Sequence, residues 1–584
     1  MHALLVAVNA KFIHSNLGIY SLYSYSLSKG ILPEELAYCE FTINQNSEDI
    51  ISGIYEEKPN LIGFSCYIWN IEIVKKVSRE IHKILPDCMI WFGGPEVSYD
   101  AQELLRENEW VDGIIIGEGE RSFYEVLCCY QNKGLYGHFE EIAGLAVRRG
   151  MEIIITPERE PGSLDEAVFP YHDTIGLQNR IVYYETSRGC PYRCSYCLSS
   201  VEKKVSFRSL DLVKRELQFF LDQRVPQVKF VDRTFNCNPR HTMEIWQYIY
   251  EHDNGITNFH FELSADLLTE EEISLLQKFR PGLAQFEIGV QSTNPRTIKA
   301  INRKMDFGLL RQKVAQIQEA RNIHQHLDLI AGLPYEDLQS FRESFNTVYE
   351  MKPDQLQLGF LKVLKGSPIH GQAKEFGMAY QSIPPYEVLY TNWISYEELR
   401  ELKLVEEMVE RFYNSMQFEA AITYLVQQFA DAFTFYDELG KHFKRKGYFG
   451  LQQSRLQNYE VLFEFSAEQG VDLELLKELI IFDLYVRENL KREPDFLGDR
   501  TIGEEKKEWL RQFYQNEELM EKYLPEYREY AWKQRLRMTH VEWFQYDIMA
   551  LLSRGVLEKK ETVILFDYLK RNPLSHQAKC ILVF

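Results

Sequence analysis

Cysteine is scarce in this 584-residue chain, ten in all, and no stretch approaches the ~18–20 consecutive apolar residues a membrane-spanning helix requires. Positive charge is also in deficit: 66 Lys and Arg face 86 Asp and Glu, a formal net charge of −20. That balance argues against a large phosphate-neutralising face and disfavours nucleic acid, transfer RNA included, as a bulk partner. A local basic patch remains compatible with it. There is no low-complexity segment and no convincing internal repeat. The opening MHALLVAVNAKFIH has no basic leader, and Asn9, Lys11 and His14 interrupt its apolar run, so it reads as a first strand and not as a signal peptide. A cytoplasmic location is therefore expected, with thiols reduced. Clustered cysteines then point to metal or redox chemistry instead of a disulfide framework.

What is present is ample core-forming material, 45% apolar and 14% aromatic, in a chain long enough for three or four domains. Residues 1–135 alternate strand-like runs (HALLVAVNA, LAYCEF, LIGFSCYIW, MIWFGGP, GIIIGEGE) with amphipathic stretches such as NIEIVKKVSREIHKIL. This is the pattern of a doubly wound, Rossmann-like α/β domain with its ligand beyond the carboxyl ends of the strands. A connector over 136–179 reads as a hairpin turning at Arg149–Gly150, then a Pro-containing linker, PEREPGSLDEAVFPYHD. Residues 180–400 hold six more strand candidates: RIVYYETS, QVKFVDRT, NFHFELSAD, AQFEIGVQS, HLDLIAGLP and QLQLGFLKVL. Each is followed by room for a helix, which makes a partial (β/α)6 TIM-like barrel the expected core, with chemistry at its carboxyl-terminal mouth. From 401 to 584 the texture is mostly α-helical, rich in Glu, Lys, Phe and Tyr, with no catalytic constellation.

The ten cysteines are unevenly spread. SRGCPYRCSYC places Cys190, Cys194 and Cys197 in a C-x3-C-x2-C loop after the first barrel strand. A structural zinc site normally takes four side-chain ligands, so zinc would need a distant fourth such as Cys237. Three thiolates suit an iron–sulfur cube with one iron left open to a small molecule. Cys128 and Cys129 fall in an amphipathic stretch and read as core thiols, and buried packing is also the simpler reading of Cys237.

SRGCPYRCSYC closely resembles the signature of the radical S-adenosylmethionine enzymes. VDRTFN (231–236), ELSAD (262–266), GVQS (289–292) and DLIAGLPYE (328–336) fall in the order that family shows. With the front domain included, nearly the whole chain resembles a cobalamin-binding member of that family carrying a C-terminal domain of unassigned function. The resemblance implies that Cys190, Cys194 and Cys197 hold a 4Fe-4S cluster whose open iron binds S-adenosylmethionine. Tyr196 would lie along the adenine. Backbone oxygens of Phe230, Val231 and Asp232 would receive the methionine ammonium, although the usual Gly-Gly-Glu is absent. Glu262 and Ser264 are candidates for the ribose hydroxyls, with a rim hydrogen-bond network as the plainer alternative. Gln291 and Ser292 are candidate cavity residues, and Gly332 and Pro334 would shape a turn near the adenosyl group.

For cobalamin the resemblance points to Ser65, Gly93 and Gly94, where missing side chains would admit the nucleotide tail. The cobalt-ligating Asp-x-His-x-x-Gly pattern is not present. NAKFIHSNLG has Phe12 two residues before His14 and Gly18 four after it, so His14 is expected to be structural. Glu118 and Glu120 read either as helix-start carboxylates or as contacts across a domain interface.

The function implied first is radical methylation of an unactivated carbon with methylcobalamin as methyl source. The alternatives are a radical cyclase or rearrangement enzyme without methyl transfer, and a cobalamin- or redox-sensing binding protein. A small-molecule or peptide substrate and a low-potential electron donor such as flavodoxin or ferredoxin complete the expected partners.

Overall fold

The computed structural model describes residues 2–133, 137–171, 177, 179–201, 204–451, 453–490, 492–498 and 503–583. The last part of the expected linker, 172–176, lies outside the described residues. The chain divides into two compact units: Met1–Ile323 with Ile330–Asp337 and Gly359–Ser395, and His324–Leu329 with Leu338–Leu358 and Tyr396–Phe584.

The first unit begins with five strands, β1 (Ala3–Asn9), β2 (Leu36–Thr42), β3 (Leu61–Ser65), β4 (Met89–Gly93) and β5 (Gly113–Ile115). They pair in parallel in the order β2-β1-β3-β4-β5. All seven residues of β1 are buried, the continuous apolar run expected of a central strand covered on both faces. The hairpin appears as β6 (Leu145–Arg149) and β7 (Glu152–Ile155), and β6 pairs antiparallel with β5. The front sheet thus has seven strands and extends into the segment read as connector. Cys128 and Cys129 are half-buried in the helix Gly119–Lys133, not core thiols. Their side of the helix is only partly covered.

After β8 (Val182–Tyr184), a short pair, β9 (Ser187–Arg188) and β10 (Ser206–Phe207), flanks the cysteine loop. Then come β11 (Gln227–Phe230), β12 (Asn258–Leu263), β13 (Ala284–Gln291), β14 (His324–Ala331) and β15 (Gln355–Phe360). The sheet order is β8-β11-β12-β13-β14-β15, a partial barrel with helices between its strands. These strands alternate where β1 does not. Phe259, Phe261 and Leu263 are buried while Asn258, His260 and Glu262 are half-buried, so one face meets helices and the other lines a polar lumen. The apolar side is aromatic: the Phe230 ring lies 4.5 Å from Phe261, and Trp246 stacks on Phe286 at 5.7 Å. A small hairpin of β16 (Ala379–Tyr380) and β17 (Val388–Tyr390) also lies in the first unit, whereas most of β14 and β15 is counted with the second.

The second unit is built largely of helices, among them Tyr396–Met408, Ala432–Lys446 and Leu473–Arg487. Asp483, fully buried, accepts hydrogen bonds from the Ala420 and Ala421 amides, satisfying the start of helix Glu419–Val426. The tail closes with an antiparallel sheet, β18 (Thr539–Phe544), β19 (Thr562–Arg571) and β20 (Ala578–Leu582), which helical spacing alone did not foretell. Among the described residues no helix is long and apolar enough to cross a membrane.

Candidate active site

The cysteine loop is held from below by one carboxylate. Asp232, 1% exposed at the end of β11, accepts from the Thr186 amide (3.0 Å), Thr186 Oγ1 (2.6 Å) and Ser187 Oγ (2.6 Å). Burial pushes its carboxyl up to about 6 even against these three bonds. Its side chain is therefore committed to the loop, leaving only backbone to face a ligand. Phe230 is fully buried in the aromatic core, so the same holds there, and the Val231 amide donates to Tyr184 O.

Above this base, Arg303 inserts against Cys194 and Tyr196. Its Nη1 lies 3.9 Å from Cys194 Sγ and 3.2 Å from Tyr196 OH, and Nη2 donates to Gly289 O. Burial raises the Cys194 thiol, with Arg303 opposing. Cys190 Sγ is 3.4 Å from Thr234 Oγ1. Cys237 faces Cys190, and burial with that neighbour pushes its thiol up to about 11. Sequence spacing gave no sign of Arg303, which lies 106 residues beyond Cys197. Its signal is only a cation in the turn after helix Pro295–Ala300.

The remaining rim residues are placed as follows. Glu262 is half-buried on the lumen face of β12, in register with Glu287. Ser264 Oγ donates to Asp266 (2.6 Å) and its amide to Asn236 Oδ1, the network foreseen as the plainer alternative. Gln291 takes φ +71° with its amide folded back over Gly289. Ser292 is fully buried and donates to Glu336 (2.6 Å), so it packs the rim and does not line a cavity. Gly332, at φ +85°, has Val388 of β17 where a Cβ would project, which accounts for the glycine by packing. Deeper in the lumen Lys229 (3.0 Å) and His260 (3.1 Å) both reach Glu287. Burial opposes Glu287's ionisation, but these two partners hold it at about 2.

At the front sheet, Ser65 and Gly93 end adjacent strands in register. Gly94 is at φ +120°, and a Cβ there would come 2.5 Å from Cys66 O, whereas at Gly93 the nearest atom is 3.7 Å away. The carboxyl end of β4 is thus bare of side chains at two consecutive positions, beside Ser65 at the end of β3. His14 does not point to that edge: its Nδ1 is 2.7 Å from Tyr183 OH on β8, and burial lowers its basicity. Glu120, in the first turn of its helix, and Glu118 both pair with Arg188, at 2.8 and 3.4 Å, so both readings of these carboxylates hold together. Burial opposes the Arg188 charge, but Glu185 and Glu120 outweigh it. Arg188 stands two residues before Cys190.

Among the described residues no three His, Cys, Asp or Glu side chains are already gathered around one point. The donor set nonetheless fits a cluster. Cys190, Cys194 and Cys197 are all free thiols, and Gln291 Oε1, Arg303 Nε and Ser195 Oγ are buried around them without a hydrogen-bond partner. Unsatisfied polar atoms at one wall mark where a polar group belongs.

Three family profiles cover successive parts of the chain: the B12 binding domain over residues 3–127, the radical SAM superfamily over 184–348, and a protein of unknown function, DUF4080, over 374–566. The cobalamin-dependent radical SAM methyltransferase TokK of Streptomyces tokunonensis is 27% identical over 378 residues, 58% of this chain and 51% of that one. The 2-(S-pantetheinyl)-carbapenam-3-carboxylate methyltransferase of Streptantibioticus cattleyicolor is 26% identical over 360 residues, with the same coverage. The chain thus spans about half the length of the curated relatives it matches. Among solved structures, the cobalamin-dependent S-adenosylmethionine radical enzyme OxsB superposes with TM-score 0.59 at 14% identity, over 83% of this chain and 78% of that one. The methyltransferase TsrM from Kitasatospora setae gives 0.53 at 15%, over 66% and 82%.

Proposed function

We propose, for a chain that belongs to the cobalamin-binding radical S-adenosylmethionine proteins and continues into a DUF4080 region, an enzyme that methylates an unactivated carbon of a small molecule or peptide. One observation carries the reading. Arg188, two residues before Cys190, pairs with Glu118 and Glu120 just beyond β5, which ties the cysteine loop to the carboxyl edge of the sheet that matches the B12 binding domain.

In this reading Cys190, Cys194 and Cys197 hold a 4Fe-4S cluster, with Tyr196, Glu262, Ser264 and the backbone of Phe230, Val231 and Asp232 around S-adenosylmethionine. Ser65, Gly93 and Gly94 receive the cobalamin tail. When bound, these groups supply a 5′-deoxyadenosyl radical for hydrogen abstraction and a methyl group for transfer. The protein's own part is positional. Asp232 fixes the loop, Arg303 sets the Cys194 and Tyr196 side chains, and the barrel wall excludes water from the reacting centre.

The test is anaerobic reconstitution with iron, sulfide and cobalamin, followed by dithionite and S-adenosylmethionine. The expected result is 5′-deoxyadenosine and S-adenosylhomocysteine, with 5′-deoxyadenosine lost in Cys194→Ala. Cob(II)alamin should show a base-off EPR signal without protein nitrogen, since His14 is engaged by Tyr183. 5′-Deoxyadenosine without S-adenosylhomocysteine or methylated product would replace methylation by other radical chemistry. No cleavage at all would leave a binding protein.

A further inference from the structure

The acidic balance of the chain reverses sharply outside the cysteine loop. Three segments meet there through hydrogen bonds to backbone carbonyls: the loop itself, the turn that follows helix Pro295–Ala300, and helix Pro368–Gln372. Ser195 N donates to Ile301 O (2.8 Å), Ile369 N to Ser195 O (2.9 Å), and Asn302 Nδ2 to Arg193 O (2.9 Å). Residues 191–196, 295–304 and 367–374 contain no Asp or Glu at all, although the chain carries 86. They do contain Arg193, Arg296, Lys299, Lys304 and Lys374, all exposed. Arg296 lies over the Tyr335 ring at 5.0 Å, and none of the five is ion-paired among the described residues. The carboxylates on the flank are turned to other work. Asp306 Oδ1 caps its own helix through Leu309 N, and Asp266 accepts from Ser264 Oγ and from the Asp306 amide. Exposed acids begin at its edge, with Asp306, Asp337 and Glu375.

From this surface we infer a docking site for an acidic, one-electron carrier protein of the flavodoxin class, resting on the cluster assignment made above. Charge complementarity is the argument. Five unpaired cations surround the loop that holds the thiols, and Arg303 runs from the same turn to Cys194. A carrier seated here loses one electron and the cluster gains it. Tunnelling falls steeply with distance, so a donor has to approach this face. Nucleic acid fits less well, because exposed aromatic rings for base stacking are not interleaved with these cations. Steering of this kind acts on association rate and fades with salt.

The test uses the reconstituted holoenzyme with reduced flavodoxin. Combined Lys299→Glu, Lys304→Glu and Lys374→Glu should lower the second-order rate of flavodoxin oxidation at least tenfold at low ionic strength, and the gap should close at high salt. Dithionite-driven S-adenosylmethionine cleavage should be unchanged. Oxidised flavodoxin should also bind the cofactor-free variant at least fivefold more weakly in calorimetry, a readout independent of turnover. Reversal at Lys76, Lys278 and Lys559, exposed elsewhere, should do neither. Equal flavodoxin rates and affinities for the patch variant and the wild type, or equal losses in both triple variants, would overturn the site. If the wild type fails with dithionite as well, the proposed function falls and the docking site with it.

Discussion

At the scale of single residues, two glycines side by side make opposite demands. Gly94 needs its left-handed backbone and has Cys66 O where a side chain would begin; Gly93 has room. Gly94→Ala should destabilise the front domain by about 1–3 kcal/mol, read as a shift in thermal unfolding. Gly93→Ala should leave unfolding nearly unchanged yet lower cobalamin retention on gel filtration at least tenfold, because its methyl group projects where the tail would pass. Normal retention in Gly93→Ala would remove that residue from the corrin site. Asp232→Asn gives a second case. It keeps the size but loses the charge that three donors share, at a cost of about 1.5–3 kcal/mol for hydrogen bonds to a charged group. The expected outcome is lower iron content after reconstitution with helical content intact by circular dichroism.

At the scale of elements, the lumen layer of Lys229, His260 and Glu287 has a defined pH signature. Glu287 is held at about 2, below the ~4.3 of a free glutamate, so its contribution is present above about pH 4.3 and disappears as pH falls through 2. Denaturant unfolding followed by tryptophan fluorescence should show wild type more stable than Glu287→Gln near pH 6, by roughly 3 kcal/mol. That advantage should shrink steadily between pH 4.5 and 2. How legible the elements were in sequence follows from the same strands. All six barrel strands and the five parallel strands of the front sheet could be read, since continuous apolar runs and period-two alternation are local signals. The pairing of β6 onto β5 could not, because a hairpin's own pattern does not say which edge it covers. The β18–β20 sheet was also missed: β19 opens with six buried residues in a row, and its register depends on partners remote in sequence. The cysteine loop was legible by spacing. Arg303 and Asp232's true role were not, since each depends on a contact that only the folded barrel creates.

At the scale of the molecule, the first unit is knitted together by charged side chains. Arg180 pairs with Glu40 at 2.6 Å, both little exposed, and lies over Phe12. Glu40 in turn accepts from Asn9 and Tyr20. Lys365 reaches Asp100, and Tyr386 donates to Glu96 in the loop after the paired glycines. Arg180→Ala would leave Glu40 short of its cation and should cost about 2 kcal/mol. Limited proteolysis between residues 157 and 171 should then quicken several-fold, with cleavage elsewhere little changed.

The bond between Ile181 N and Ile13 O, with Ser15 N returning to Ile181 O, makes the loop after β1 an extra rung beside β8. Main chain, not only side chain, thus crosses between the two sheets. The consequence is for modularity. The front domain and the barrel are not interchangeable cassettes, and a chimera that exchanges one must carry residues 11–16 together with 180–184, or leave unpaired main chain along the seam between the two sheets.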